Sequence, residues 1–420
     1  MSITLDDVID RRLVHSVYQP IVDLFAGGVV GYEALARGPE GRLESPGALF
    51  SEARDAGRLG DLERVCRRAA VEGAAAGGLE SGSTLFINLE ADALEHRGED
   101  ALRDLVGATS GMRIVLEMTE RALTARPADL LPALRRLRDQ GFGTALDDVG
   151  IDRRSLALMP LMRPDVIKLD LSLTQNRPSE YIAAVHNAVS AQAESTGAMV
   201  VAEGIETPAH AERARAMGAT LGQGFMLGRP AALPTVFPHS DTVVPIDHAS
   251  PRRAATPFTA VAAERPVRRG TKPLLLAISR DLERHAAALG PNAVVISTFQ
   301  HVRHFNRPTR RLYQDLASYT AFVGALGEDM GTEPAYHVRG ADLASDDPLA
   351  AEWDIVVVGP HFAACFAARD LGDRGPDLDR RFDFAVTYDR DLVVLAAQSL
   401  MARIAPLHAP TLPVHAHVAA

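Results

Sequence analysis

The sequence predicts an α/β protein with two folded parts: a (β/α)8 TIM-like barrel with an antiparallel first strand, and a smaller C-terminal α/β domain. Three observations predict it. Short apolar runs alternate with helical stretches over the first 230 or so residues, a proline-rich stretch follows, and a second strand and helix series ends the chain. A length of 420 residues with 47% hydrophobic and 23% charged content suits a two-domain globular chain and excludes collagen, coiled coils and wholly disordered chains.

Eight apolar runs of the first part are predicted strands, and most are separated by helical patterns such as Leu130, Leu134 and Leu137. The runs are 17–22, 29–35, 84–89, 113–118, 143–147, 165–170, 199–203 and 219–223. Only residues 23–28 join the first two, and a parallel crossover needs about a dozen residues or more. These two strands are therefore predicted to form an antiparallel hairpin.

The predicted domain boundaries follow from the prolines. We assign 1–230 to the barrel, 231–270 to a proline-rich linker, 271–405 to the C-terminal domain and 406–420 to a flexible tail. In the C-terminal domain the predicted strands are 293–299, 354–358 and 382–387, with helices near 273–289, 307–319 and 390–404.

The net charge is −10, so the chain has no overall basic excess that would attract nucleic acid or an anionic membrane. We expect neither as a partner. Cys66 and Cys365 are expected to be reduced, and neither a signal peptide nor a membrane-spanning run is predicted. The expected location is cytoplasmic.

Polar residues end the predicted barrel strands, where such barrels build their sites. They are Glu33, Asn88, Glu117, Asp147, Asp148, Lys168, Glu203 and Gln223. Each acid alone is typical of a turn or a helix cap. Five acids at one mouth need cations to neutralise them, and oxygen ligands without cysteine or clustered histidine favour Mg²⁺ or Mn²⁺. Two such ions are typical of phosphodiester hydrolysis, which is the chemistry we infer.

Lys168 stands out because all but two of the 44 basic residues are arginine, the other lysine being Lys272. A compact ammonium can contact a phosphoryl oxygen where the planar guanidinium would not fit, although a lysine at a strand end can also extend to solvent. Arg37 is a candidate phosphate clamp.

Seven ordered motifs across residues 10–230 resemble the EAL-domain cyclic di-GMP phosphodiesterases. They are Glu33-Ala34-Leu35 with Arg37, Phe86-Ile87-Asn88-Leu89, Glu117-Met118-Thr119-Glu120, Asp147-Asp148, Ile167-Lys168-Leu169-Asp170, Ala202-Glu203-Gly204-Ile205-Glu206-Thr207 and Gln223-Gly224-Phe225. The resemblance implies a barrel with an antiparallel first strand, a role in bacterial signalling, hydrolysis of cyclic di-GMP to linear pGpG with two Mg²⁺ or Mn²⁺ ions, and a homodimer formed through this domain.

The resemblance also implies roles for individual residues. The implied metal ligands are Glu33, Asn88, Glu117, Asp147, Asp148 and Glu203. Glu203 is in addition the implied general base, and Lys168 the contact to the nucleophile or phosphate. Gln19, Arg37 and Gln223 are implied at the substrate and its water shell, with Glu120, Glu206 and Asp170 as supporting residues.

One loop departs from the family. After the paired aspartates the family usually reads Phe-Gly-Thr-Gly-Tyr-Ser-Ser, whereas this chain has Val149-Gly150-Ile151-Asp152-Arg153-Arg154-Ser155. In the family this loop links the metal site to the dimer interface. Asp152 can take a left-handed turn conformation at modest cost, so the loop can persist.

The C-terminal part resembles the DICT sensory domain, which accompanies cyclic di-GMP enzymes and transcription regulators. The motifs are Ile296-Ser297-Thr298-Phe299-Gln300, Val338-Arg339-Gly340-Ala341-Asp342-Leu343, residues 353–362 and residues 384–389. The resemblance implies a sensory domain with an unknown ligand or protein partner.

Three hypotheses follow. The first is a phosphodiesterase regulated by the C-terminal domain. The second is a receptor that binds cyclic di-GMP without useful turnover because of the altered loop. In the third, both parts are protein-interaction scaffolds.

Overall fold

The computed structural model of the protein describes residues 3–79, 82–89, 111–237, 240–246 and 253–406. The predicted tail, 406–420, lies outside these residues except for its first member.

The first part is a closed eight-stranded barrel in which the strands are neighbours in chain order. The strands are β1 (His15–Asp23), β2 (Val29–Arg37), β3 (Thr84–Asn88), β4 (Arg113–Met118), β5 (Gly143–Val149), β6 (Val166–Leu169), β7 (Met199–Ala202) and β8 (Leu221–Gly222). β1 pairs antiparallel with both β2 and β8, whereas the other neighbours are parallel. The predicted barrel class and its antiparallel first strand are confirmed.

Helices surround the barrel, and several start at the caps that the sequence contains. They are α1 (Leu5–Asp10), α2 (Pro46–Asp55), α3 (Leu59–Ala76), α4 (Glu120–Ala125), α5 (Pro127–Asp139), α6 (Arg154–Met162), α7 (Leu171–Gln175), α8 (Glu180–Thr196) and α9 (Pro208–Ala216). At α9 the Thr207 side chain accepts the amide of His210, and Pro208 takes the first helical position, where its missing N–H costs nothing.

The segment after the barrel closes its amino-terminal end. Ala231 pairs with Tyr18 of β1, and Thr242 donates a hydrogen bond of 2.5 Å to Asp23. The side chain of Val244 is fully buried among the interior residues of the barrel, and its carbonyl accepts a hydrogen bond from Arg113. This part of the predicted linker is therefore packed against the barrel.

The C-terminal domain is built on a seven-stranded sheet with the order β12-β11-β10-β13-β14-β15-β9. Its strands are β9 (Arg268–Thr271), β10 (Val294–His301), β11 (Phe322–Glu328), β12 (Arg339–Asp342), β13 (Glu352–Val358), β14 (Ala363–Asp370) and β15 (Arg381–Thr387). β10, β11 and β12 are parallel, and the remaining pairs are antiparallel.

The helices of this domain are α10 (Pro257–Ala262), α11 (Lys272–Leu289), α12 (Arg307–Tyr319) and α13 (Arg390–Met401). α10 packs on α13, and β9 pairs with β15, so both elements belong to the C-terminal domain although they lie within the predicted linker 231–270. Prolines dominate that stretch, but Thr256 and Pro257 form a capped helix start within it.

The two domains share an extended contact made by α13. One face of α13 packs on the C-terminal sheet and the other on α5 and α6 of the barrel. The side-chain amide of Gln398 donates to the carbonyl of Leu161 at 2.8 Å, and Arg163 pairs with Asp391 at 3.1 Å. Apolar side chains on the outer face of the barrel strands, on the surrounding helices, on α13 and on the C-terminal sheet form one continuous buried cluster.

Candidate active site

The polar strand ends face the inside of the barrel because they continue the two-residue alternation of the strands. The interior is filled by one apolar residue from each of six strands: Phe86, Val115, Ala145, Val166, Val201 and Leu221. Two residues after each of them stand the polar residues Asn88, Glu117, Asp147, Lys168, Glu203 and Gln223. The polar side chains therefore form a layer above the apolar core, at the carboxyl ends of the parallel strands.

Lys168 lies at the centre of this layer, with its side chain 1% exposed. Its Nζ is 2.8 Å from Glu203 Oε1, 2.9 Å from Glu117 Oε1, 3.3 Å from Asp147 Oδ1 and 3.4 Å from Glu33 Oε2. A single ammonium thus faces four carboxylates, which leaves the cluster with a negative formal charge. We call these five residues the acidic cluster.

Amide side chains bound the cluster on the β1 side. Gln223 Nε2 donates to Glu33 Oε2 at 2.6 Å and lies 3.0 Å from Gln19 Oε1. Gln19 Nε2 donates in turn to the carbonyl of Gly228, and Asn88 Nδ2 donates to Glu33 Oε1 at 3.1 Å. Both oxygens of Glu33 are therefore fixed by neutral donors.

The paired aspartates sit where β5 becomes irregular. The pairing of β5 with β6 shifts between Leu146 and Val149, and Asp148 has a left-handed backbone with φ of 58°. Asp tolerates this conformation at modest cost. One carboxylate oxygen each from Asp147, Asp148 and Glu203 lie within 4.8 Å of one another. The bend therefore brings two consecutive acids to the same mouth.

Burial and mutual repulsion set the protonation of the cluster. Burial opposes the charge of Lys168, but the charges of Asp147, Glu117, Glu203 and Glu33 raise its pKa well above the ordinary value. Burial opposes the ionisation of Glu33 as well. The charge of Lys168 and the hydrogen bonds from Gln223 and Asn88 outweigh burial and lower the pKa of Glu33. Lys168 and Glu33 are thus a stable ion pair.

The other two glutamates respond differently. Burial and the charge of Glu33 raise the pKa of Glu117 well above its usual range. Burial raises the pKa of Glu203 to about 8, against the opposing charge of Lys168 and with further repulsion from Asp147. Both groups hold protons that a nearby cation would displace.

The donor set fits divalent cations. Glu117 Oε2 is buried and has no hydrogen-bond partner among the described residues, an arrangement that is costly unless a cation or proton occupies that oxygen. Asp147, Asp148 and Glu203 supply further oxygens within reach of one ion. Carboxylate and amide oxygens suit Mg²⁺ and Mn²⁺.

Comparison with known proteins agrees with this geometry. The sequence model of the EAL domain matches residues 4–230, which is more than half of the chain. The chain belongs to the EAL domain family. A second family model, DICT, described as a sensory domain in diguanylate cyclases and two-component systems, matches residues 259–371. The predicted family resemblances are confirmed.

Similar proteins carry the same kind of domain. A probable cyclic di-GMP phosphodiesterase, PdeB of Escherichia coli, is 32% identical over 243 residues, which cover 55% of this chain and 45% of PdeB. The chain spans less than half the length of the first curated relatives it matches.

Among solved structures, the manganese and cyclic di-GMP complex of Klebsiella pneumoniae BlrP1 has a TM-score of 0.48 and 29% identity, covering 52% of this chain and 56% of that one. The cyclic di-GMP complex of the phosphodiesterase PaMucR has a TM-score of 0.48 and 28% identity, covering 54% of this chain and 95% of that one.

The altered loop of this EAL domain is held by its own contacts. Tyr181 of α8 donates its hydroxyl to the carbonyl of Gly150 at 2.9 Å, and the Arg153 guanidinium lies 4.6 Å from the Tyr181 ring centre. Asp152 accepts the amide and guanidinium of Arg154. The left-handed residues are Asp148 and Gly150, so the left-handed turn considered for Asp152 is absent. Its carboxylate caps the start of α6 instead.

Of the eight predicted EAL site residues outside the acidic cluster, four border it as described above, and the other four are Arg37, Glu120, Asp170 and Glu206. Arg37 donates to the carbonyl of Ala36, and the side chain of Glu206 is exposed. Asp170 is buried and caps α7 by accepting the amide of Ser172. Glu120 is 4% exposed and begins α4. Asp170 and Glu120 therefore have supporting positions, whereas Arg37 and Glu206 have no direct contact with the cluster.

Sequence reasoning missed Tyr181, which holds the altered loop from 31 residues away. Its only signal was an aromatic residue at the start of a helix, which is an ordinary place for one. Sequence reasoning also missed that Lys168 would contact four acids at once, because strand order had to be known first.

Proposed function

We propose that the chain is a divalent-cation-dependent phosphodiesterase that hydrolyses cyclic di-GMP to linear pGpG. The observation that carries the proposal is the acidic cluster around Lys168 in the mouth of an EAL barrel. The relative PdeB, a probable cyclic di-GMP phosphodiesterase, supports the choice of substrate.

The residues that would hold two Mg²⁺ or Mn²⁺ ions are Glu33, Asn88, Glu117, Asp147, Asp148 and Glu203. The cations would neutralise phosphate charge and activate the attacking water. The chain's own groups perform the remaining tasks. Glu203 is the proposed general base. Its pKa of about 8 without cations leaves it mostly protonated at neutral pH, so it would accept a proton from the attacking water only after a bound cation has displaced the proton that it holds.

Lys168 keeps its proton and offers a fixed ammonium to a phosphoryl oxygen or to the attacking oxygen. Its buried side chain is held by carboxylates on four strands, so little reorganisation accompanies substrate binding. Gln19 and Gln223 present buried amides beside Glu33, where they can orient water and substrate. Arg37, at the end of β2, is proposed as a substrate contact.

The proposal extends to the rest of the molecule. The DICT domain would regulate turnover in response to an unknown ligand or protein partner, and the EAL domain would form a homodimer. No helix in the described part of the chain has both the length and the apolar character that crossing a bilayer requires. We propose that the protein acts in the cytoplasm.

A turnover assay tests the proposal. The full chain with Mn²⁺ or Mg²⁺ should convert cyclic di-GMP to pGpG, seen by chromatography, and Glu33→Gln should abolish the conversion. Glu212→Gln, an exposed acid on α9, is the matched control and should retain it. Absence of product from the parent chain under both metals would refute the enzyme proposal.

The altered loop favours a second candidate, a receptor that binds cyclic di-GMP without useful turnover. Val149-Gly150-Ile151-Asp152-Arg153-Arg154-Ser155 replaces the family pattern beside the paired aspartates. The same samples decide between the two: tight binding of cyclic di-GMP by calorimetry with no pGpG would support the receptor. Absence of binding would favour a scaffold.

A further inference from the structure

Arg339, the first residue of β12 in the C-terminal domain, reaches into the barrel. Its guanidinium donates to the carbonyls of Thr124 and Ala125, the last two residues of α4, with the second bond at 3.4 Å. It also donates to the carbonyl of Ala405, beyond α13. The residue is 9% exposed, so these contacts are made inside the domain interface.

This contact satisfies the last two carbonyls of α4, while the amide of Arg126 donates to the carbonyl of Ala122 one turn earlier. The last carbonyls of any helix lack partners within it, and a cation there also meets the negative end of the helix dipole. No ion pair of Arg339 with a carboxylate is seen among the described residues, so backbone carbonyls satisfy the guanidinium. Burial lowers the pKa of Arg339 to about 10, and the group remains charged at neutral pH.

The other end of α4 adjoins the active-site mouth. Glu117 of the acidic cluster is the next-to-last residue of β4, and α4 begins three residues after it with Glu120. Burial raises the pKa of Glu120 to about 7, with smaller contributions from the charges of Asp152 and Asp148. α4 also packs on α6, which starts directly after the altered loop. α4 is only six residues long, so its two ends lie about 9 Å apart.

We propose that Arg339 is a positioning residue through which the C-terminal domain holds α4 and, with it, the Asp148–Arg154 loop of the cation site. The inference rests on the proposed function, since it assigns a route for regulation of that site. Movement of β12 would release the carboxyl end of α4 and loosen the loop that carries Asp148.

The surroundings of β12 show what could move Arg339. β12 is the edge strand of the sheet, and residues 329–338 fold back onto it. A Cβ at Gly340 would lie 2.2 Å from the carbonyl oxygen of Gly331, so that loop and β12 touch through backbone. Asp329 and His337 take left-handed backbones in the same loop. A ligand or partner that repacks this loop would shift β12 directly.

The test uses the full chain with Arg339→Met, which keeps the apolar stem and removes the donors, and with Arg339→Lys, which keeps the charge. Gln398→Met is the matched control, because it removes a different hydrogen bond between the domains, to Leu161. Hydrogen exchange of residues 146–155 is measured on metal-free protein, Mn²⁺ affinity by calorimetry, and kcat and KM with cyclic di-GMP.

The expected result is faster exchange in 146–155 for Arg339→Met and a loss of about tenfold in Mn²⁺ affinity and kcat, with KM little changed. Arg339→Lys should fall between Arg339→Met and the parent, and Gln398→Met should match the parent in all three. Equal exchange and equal Mn²⁺ affinity in Arg339→Met and Gln398→Met would overturn the proposal.

Failure of the proposed function and failure of the role of Arg339 give different results. If the parent chain shows no turnover, the proposed function fails, while exchange and Mn²⁺ affinity still decide the role of Arg339. If Arg339→Met does not fold, the decision passes to Arg339→Lys, in which unchanged exchange in 146–155 would contradict the proposal.

Discussion

Both domains bury acidic side chains, but they neutralise them in different ways. In the barrel mouth four carboxylates share one ammonium, and Glu117 Oε2 has no hydrogen-bond partner among the described residues. In the C-terminal sheet Thr298 donates to Asp354, and Thr256 donates to Glu352 at 2.7 Å.

Protonation does not separate the two groups, because burial raises the pKa of Glu117 and Glu203 in the barrel as it does in the sheet. Burial and the charge of Glu352 raise the pKa of Asp354 well above its usual range, so this acid is neutral in the folded protein. The sheet acids accept hydrogen bonds from hydroxyl donors, and Glu352 also pairs with Arg369 at 3.2 Å, whereas four carboxylates of the barrel converge on a single ammonium at the mouth. Burial alone therefore does not identify a functional acid; a shared lysine and strand-end placement do.

The largest effect is expected for Glu117→Gln. The substitution removes a proposed ligand oxygen, the buried Oε2, that can lose its proton to a bound cation, so Mn²⁺ affinity should fall and turnover should drop by about a thousandfold or more. Asp354→Asn is the matched change in the C-terminal domain, where the amide replaces an acid that is already protonated, and it should leave both quantities unchanged. Turnover assays and calorimetry measure both variants. Similar losses in the two variants would show that the buried acids of the two domains do not differ in function.

Lys168→Met should be strongly destabilising without metal. Removing one partner of a buried ion pair costs about 3–5 kcal/mol, and here four carboxylates lose their cation. Mn²⁺ should recover part of the loss by supplying positive charge. Urea unfolding in EDTA and in Mn²⁺ measures the difference, and an equal loss in both would show that cations do not bind there.

The conservative change Lys168→Arg tests whether turnover depends on an ammonium at this position. The larger planar guanidinium cannot replace an ammonium that contacts four carboxylates, so turnover should be lost. Lys272→Arg is the control, since Lys272 pairs with the exposed Asp377 at 2.6 Å. Near-native turnover by Lys168→Arg would contradict the importance given to this lysine.

A smaller, pH-dependent effect is expected in the C-terminal domain at Glu283. Burial raises its pKa to about 7, against hydrogen bonding from Tyr313. The unfolded chain releases this proton near pH 4.5, so the free energy of unfolding should fall between pH 4.5 and 7, by at most about 3 kcal/mol, and then level off.

Glu283→Gln should remove that pH dependence. Compared with the parent at the same pH, the variant should therefore be more stable at pH 8 than it is at pH 5. Urea unfolding of parent and variant at the two pH values gives the answer. A parent and variant that differ equally at pH 5 and pH 8 would show that Glu283 ionises normally in the folded protein.

The smallest effect is expected for Tyr181→Phe, which removes the hydroxyl that holds Gly150. The loss of one hydrogen bond should cost about 1 kcal/mol, and turnover should fall by less than about tenfold. Tyr319→Phe, on the half-exposed end of α12, is the control for loss of a hydroxyl. Complete loss of turnover in Tyr181→Phe would show that the altered loop is far less tolerant than its other contacts indicate.

Sequence patterns predicted the barrel well because most strands are apolar runs with a polar residue at or next to their carboxyl end. The run 113–118 agrees with β4 at both ends, and Glu117 follows Val115 by one alternation. The C-terminal sheet was harder to predict. β14 is rich in alanine and β11 contains two glycines, so neither has the side chains typical of strands.

Other features depend on tertiary structure that no local pattern records. β9 consists of Arg268, Arg269, Gly270 and Thr271 and is a strand only because β15 pairs with it. Arg339 lies in a recognisable motif, but its bonds to α4 join residues more than two hundred positions apart. The contact of Lys168 with four strands requires the closed barrel.

Manganese anomalous diffraction from crystals of the full chain grown with Mn²⁺ tests the central claim most directly. We expect strong peaks in the barrel mouth, within ligand distance of Glu117, Asp147, Asp148 and Glu203, and none beside Glu352 or Asp354. A mouth without manganese at saturating concentration, with Lys168 still in contact with all four carboxylates, would contradict this claim.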